Sequence, residues 1–201
     1  MTYTKTRYKT YRDYLDADHY SDGNYRLLSS GEVIQLPPED IENAFIASEL
    51  TEQLKRLIGN RRLVSTATEI QVNPVGDDRV NRRPDVTVLR PEHINLISKL
   101  GRNAVLIGMP PPLIVVEVVS KGGKRTPNYL RDYEWKRSQY EWWQIPEYWI
   151  VDRHRAQVVI HTLDGEGYYS ARLYRGDSAI ASAAFSTLSL SASDLLAGNI
   201  I

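Results

Sequence analysis

Leu113-Ile-Val-Val-Glu-Val-Val119 is the stretch on which the fold turns. It is a β-branched run broken only by Glu117, which is how a strand covered on both faces reads. After it, Tyr129–Gln144 reads as a helix stopped at Pro146, and Tyr148–Val151 as a second buried strand. Strand, helix, strand implies a sheet with helices packed on it, an α/β architecture. Working outward, Gln157–Leu163 is expected to pair with that second strand across Asp152-Arg-His-Arg155, followed by a strand at Tyr168–Tyr174 and a short helix at Leu188–Leu196. Upstream, Asp85–Leu89 reads as a strand entered through Arg83-Pro84, Leu63–Val72 as a strand, and Glu92–Leu100 as a short helix. Pro37-Pro-Glu-Asp40 opens a longer helix with its apolar stripe at Ala47, Leu50, Leu54, Leu57 and Ile58. Tyr25–Leu28 and Glu32–Leu36 flank Ser-Ser-Gly, a hairpin pattern.

With 201 residues and no visible linker or repeat, one domain over residues 1–201 is expected, with 1–24 as an N-terminal extension. The absence of cysteine excludes disulfides, thiolate metal sites and cysteine nucleophiles. Met1–Tyr14 is polar and basic, so no signal peptide is read there, and a cytoplasmic location is expected. No apolar run approaches the roughly 20 residues a membrane span needs. Lys+Arg and Asp+Glu are both 25, which argues against non-specific binding of nucleic acid through bulk charge but leaves local basic patches open. Two such patches are Arg79, Arg82 and Arg83, and Lys121, Lys124 and Arg125.

Three residues break local rules. Glu117 puts a carboxylate in an apolar strand, where it needs a cation, a proton or a metal. Asp85 opens a strand although Asp is depleted in strands; Pro-Asp is also an ordinary strand-entry pair. In the helix from Tyr129, aromatic residues at Tyr133, Tyr140 and Trp143 mark one face, and the missing position of that stripe is Lys136. Such a lysine either snorkels to solvent or meets an anion. Two acids on adjacent strands fit a hard divalent cation such as Mg²⁺ or Mn²⁺, and a nearby lysine suits the charge that develops in phosphodiester hydrolysis.

The order Pro-Asp, strand Glu, then Lys resembles the PD-(D/E)XK nuclease superfamily. Tyr25-Arg-Leu-Leu-Ser-Ser-Gly-Glu32, Leu36-Pro-Pro-Glu39, Arg83-Pro-Asp-Val86, the strand from Pro111 to Ser120, Lys136-Arg-Ser-Gln-Tyr140 and Ile145-Pro-Glu-Tyr-Trp-Ile-Val-Asp152 resemble the Uma2 family, also called DUF820, over roughly Tyr25 to Leu196. The resemblance implies a restriction-endonuclease-like core, a mixed central β-sheet flanked by helices. It also implies a Mg²⁺- or Mn²⁺-dependent endonuclease acting on DNA, with Asp85 and Glu117 as metal-binding catalytic acids and Lys136 as the catalytic lysine. The superfamily's usual Glu-x-Lys would place lysine at position 119, which is Val119. Glu42, or second to it Glu39, is a possible additional acid, set against an ordinary role at a helix start. By analogy with related nucleases, a homodimer is expected.

Other signals fail. Gly122-Gly-Lys-Arg-Thr126 lacks the Walker spacing. His19, His93, His154 and His161 lack metal spacing, and no Gly-x-Ser-x-Gly is present. Trp142-Trp143 and Tyr148-Trp149 suit packing better than base stacking. Three readings remain: a metal-dependent endonuclease, a binding or interaction module on the same fold without useful catalysis, and a metal-dependent hydrolase of another phosphoester, which shares the site and differs only in cleft shape. An enzyme needs Asp85, Glu117 and Lys136 around one cavity and a bound metal. A module leaves them apart or salt-bridged to one another.

Overall fold

A computed structural model of the chain describes residues 7–17 and 24–198. Its centre is a six-stranded mixed sheet. In chain order its strands are β3 (Val64–Ser65), β6 (Val86–Val88), β8 (Ile114–Val118), β9 (Glu147–Asp152), β10 (Gln157–Leu163) and β11 (Tyr169–Tyr174). Their spatial order is β11-β10-β9-β8-β6-β3. Only β8 and β9 are parallel. The residues between them form the crossover: helix α4 (Pro127–Leu130), a wide π turn (Arg131–Trp135) and helix α5 (Lys136–Trp142). The β-branched run therefore lies at the centre of the sheet, and all five residues of β8 are buried.

The two faces of the sheet bury separate cores. On one, Val86, Val88, Val116, Val118 and Trp149 pack against Leu50 and Leu54 of α2 (Ile41–Ile58) and Leu195 of α6 (Ala192–Ala197). On the other, Val115, Tyr148 and Ile150 pack with Tyr140 and Trp143 from the crossover helix. Helix α2 starts where the sequence predicts. Asp40 caps it, its carboxylate accepting from the N–H groups of Glu42 at 2.9 Å and Asn43 at 3.4 Å.

Several expectations shift. The predicted strand Leu63–Val72 is split: β3 joins the large sheet, whereas β4 (Glu69–Gln71) pairs with β5 (Asn81–Arg82) and β7 (Ala104–Val105) in a small sheet. The break is local chemistry, since the Ser65 hydroxyl accepts from the Ala67 N–H at 3.1 Å and bends the chain. The predicted helices at 92–100 and 188–196 form as α3 (Pro91–Leu100) and as α6, which Ser191 caps. The hairpin forms as β1 (Tyr25–Leu27) and β2 (Val33–Gln35). Within the segment expected as an extension, α1 (Tyr11–Asp16) buries Tyr11 and Tyr14 against Leu27, and the Tyr11 hydroxyl donates to Glu69 at 2.9 Å. His19 lies outside the described residues.

His161 on β10 gives a pH prediction. Its ring is sandwiched between Tyr148 and Tyr169. Burial, with repulsion from Arg137, pushes its pKa down to about 4. The folded state therefore refuses a proton that the unfolded chain accepts near pH 6.5. The stability it supports is complete above about pH 6.5 and falls as pH drops toward 4, by up to about 3 kcal/mol. Urea unfolding at pH 7.5 and 5 should show this loss in the wild type and a much smaller one in His161→Phe; equal losses would exclude His161 as the source.

Candidate active site

Alternation along β8 sets the direction of Glu117. Val116 and Val118 face α2, while Val115 lies in the opposite core with Tyr140, so Glu117 points at the crossover helix. Its Oε1 accepts from the Tyr140 hydroxyl at 2.9 Å, and its Oε2 lies 2.7 Å from Lys136 Nζ. Asp85 sits just before β6. Val86 pairs with Val116, so Asp85 and Glu117 each stand one residue beyond that pair. Asp85 Oδ2 accepts the Val118 N–H at 2.6 Å.

Lys136 does not snorkel. It is 9% exposed, and its Nζ lies between Glu117 and Asp132 Oδ1, the latter at 2.8 Å. The π turn assists this arrangement. The Lys136 N–H donates to the Arg131 carbonyl, five residues back, and the wide turn inserts one extra residue just where Asp132 and Lys136 meet the sheet. Asp132 also forms a fork with Arg131, both contacts at 3.1 Å. Trp135, inside the same turn, packs on Gly76, whose φ is +71° and where a Cβ would overlap the indole.

Burial, the largest influence, pushes Glu117 up to about 7 against the attraction of Lys136, with Asp85 and Asp132 adding repulsion. Burial and then the neighbouring Glu39 raise Asp85 well above the usual carboxylate range. Burial also works to raise Asp132, but attraction to Lys136 and Arg131 overcomes it and holds this acid below its ordinary value. Two of these acids thus resist ionisation, chiefly because burial disfavours their charged forms.

Asp85, Glu117, Lys136, Asp132 and Glu39 line one open cleft of about 750 Å³. The acid that meets Asp85 is Glu39. Glu42, favoured from sequence, is exposed and borders a separate hollow with Phe45. Both acids are exposed, but Asp40 begins the helix, leaving Glu39 on the chain before the cap, beside Asp85, and Glu42 in the first turn away from it. Asp132 was missed by sequence reasoning, although its i,i+4 spacing to Lys136 was available as a signal. Ser120 and Asn128, flanking the glycine-rich loop, reach the same cleft. Of the aromatic pairs, Trp143, Tyr148 and Trp149 are buried, and only Trp142 is exposed.

Among the described residues, no group of three or more His, Cys, Asp or Glu side chains forms a ready metal cage. The donor chemistry of Asp85 and Glu117 nonetheless fits a hard divalent cation. Both offer carboxylate oxygens where neighbouring strands meet the cleft, held back from ionisation chiefly by burial, and Mg²⁺ is commonly held by one or two carboxylates with substrate phosphates completing its shell.

The layered mixed sheet, with acids on two central strands and a lysine on the crossover, is a restriction-endonuclease-like α/β fold. The family model described as "Uma2: Putative restriction endonuclease" matches residues 11–193, and the chain belongs to the Uma2 family. It is also similar to the crystal structure titled a "putative nuclease belonging to DUF820 from Anabaena variabilis ATCC 29413", with a TM-score of 0.57 and 16% identity over 84% of this chain and 87% of the other. No curated protein matches. Among the described residues no helix is long and apolar enough to cross a membrane.

Proposed function

We propose that the chain is a metal-dependent endonuclease that hydrolyses DNA phosphodiester bonds, with Asp85 and Glu117 as metal-binding catalytic acids and Lys136 as the catalytic lysine. The observation that carries the reading is the convergence, in one cleft, of two acids resisting ionisation with a buried lysine 2.7 Å from one of them. A divalent cation between Asp85 and Glu117 would supply Lewis-acid activation of water and neutralise phosphate charge. Tyr140 holds the Glu117 carboxylate in place by donating to Oε1. Asp132 and Glu117 fix the Lys136 ammonium beside the acids, where it offsets negative charge building on the phosphoryl oxygens. The lysine thus acts from the crossover helix, in place of the Glu-x-Lys position that Val119 occupies.

One observation favours the second reading, a nuclease-fold DNA-binding or interaction module with weak or no catalysis. Lys136 is already ion-paired to Glu117, so a cation there must displace or share that contact. Nicking of supercoiled plasmid with Mg²⁺ or Mn²⁺ decides between them. On the endonuclease reading the wild type nicks, chelation stops it, and Asp85→Ala, Glu117→Ala and Lys136→Ala each lower the rate by at least about 100-fold. Binding without nicking by the wild type, or nicking that survives all three changes, would overturn it. The expected two-fold dimer belongs to the same proposal, and sedimentation equilibrium reads it directly.

A further inference from the structure

The buried cations that border the cleft differ in how far their donors are used. Asp77 takes Arg82 in a fork, at 2.8 and 3.0 Å, and also contacts Arg79 Nε at 3.1 Å. Asp132 is shared by Arg131 and Lys136, and Glu117 takes Lys136. Arg26 has no carboxylate within ion-pair reach among the described residues. It is 5% exposed, lines the cleft, and its hydrogen bond runs from Nη1 to the carbonyl of its neighbour Tyr25. The nearby acid Glu69 attracts Arg26 without forming an ion pair with it, and its Oε2 accepts from the Tyr11 hydroxyl and from Asn81 Nδ2 at 2.7 Å. Arg26 thus feels Glu69 and Glu117 only as charges at a distance, and Arg79 has an ion pair to Asp77 alone.

The crowding bears on Arg79. Burial first, then repulsion from Arg82, Arg131 and Arg26 against the attraction of Asp77, lowers its pKa to about 10. Buried guanidinium groups held together against their repulsion are completed by an anion, and their planar donor forks match phosphate oxygens. Every guanidinium nitrogen of Arg82 is engaged, on Asp77 and Gln139, and every one of Arg131, on Asp132 and Asn128. Arg26 and Arg79 keep donors to give.

We propose that Arg26 and Arg79, in the positive field of Arg82 and Arg131, form a subsite for a backbone phosphate of a nucleic-acid strand, next to the phosphate that lies at Asp85, Glu117 and Lys136. The adjacency rests on the nuclease reading; the anion site does not. A strand reaching both positions is a polymer, so the substrate class is an oligonucleotide rather than a free phosphomonoester.

The test is fluorescence anisotropy of a short labelled DNA duplex in EDTA, at several salt concentrations. The proteins are the wild type, Arg26→Gln, Arg79→Gln and, as a surface control, Arg62→Gln. Loss of one phosphate contact should weaken binding about tenfold and reduce the slope of log affinity against log salt by about one. That result is expected for Arg26→Gln and Arg79→Gln, with Arg62→Gln unchanged. Wild-type affinity and slope in both cleft variants would overturn the subsite. If Arg26→Gln fails to fold, Arg79→Gln and Arg26→Lys, which keeps the charge, carry the test. Inorganic phosphate provides the second arm. If it raises the melting temperature of the wild type but not of Arg79→Gln, while duplex affinity is the same in both, the site takes free phosphate and the strand assignment falls. Because no turnover is needed, Arg26-dependent binding without plasmid nicking would retain the subsite and remove the nuclease.

Discussion

Lys136→Met should both abolish plasmid nicking and lower stability by about 3 kcal/mol, because removing one partner of a buried ion pair leaves its charge uncompensated. Two carboxylates lose their cation at once, Glu117 at 2.7 Å and Asp132 at 2.8 Å. The loss stays near the lower end of the usual range for broken buried pairs because Arg131 still holds Asp132 and because Glu117, already pushed up to about 7, takes a proton readily. For a chain of this length, the loss corresponds to a melting temperature lower by about 6–12 °C. Differential scanning calorimetry reads it, and Lys136→Arg, which keeps the charge, should recover part of the loss. Wild-type stability in Lys136→Met would mean that the two acids find their compensation elsewhere.

Glu147→Ala should cost about 4 kcal/mol without any direct effect on the cleft, since it strands three donors, two buried and one half-buried, and a buried donor left unpaired costs about 1–3 kcal/mol. Glu147 opens β9 and is fully buried. Its carboxylate accepts from Trp149 Nε1 at 2.8 Å, the Ser182 hydroxyl at 3.0 Å and the Ala184 N–H at 2.6 Å. These contacts tie the segment before α6 to the sheet. Urea unfolding provides the measurement, and Ser182→Ala, which removes one donor with its partner intact, should cost far less. A Glu147→Ala change smaller than that of Ser182→Ala would show that the tie contributes little.

The central sheet was legible because it is written locally. The run around Glu117 and the segments that became β9 and β10 carry their burial in residue type alone. Asp85, Glu117 and Lys136 stood out because each contradicts its surroundings, and the structure gathers them in one cleft. The small sheet could not be read this way: Asn81-Arg82 and Ala104-Val105 are two-residue strands with no period. Asp132 was hidden because Arg-Asp on a helix looks like surface charge, and only the docking of that helix buries it. The π turn has no residue signature. Arg26 passed as a polar residue in a hairpin, because its lack of a carboxylate partner is a property of three dimensions. Glu39 lost to Glu42 because spacing along a helix does not say on which side of its cap an acid comes to lie beside Asp85.

Asp85 and Glu117 on one side and Lys136 on the other belong to different elements of the fold. Asp85 and Glu117 are set by the sheet; Asp132 and Lys136 are set by the wide turn and the helix after it, where Trp135 packs against Gly76. The site therefore behaves as a coupling between two plates rather than as a fixture on one. A side chain at position 76 that lifts the indole would withdraw the ammonium from Glu117 while carrying its companion acid along, uncoupling the plates without unfolding either.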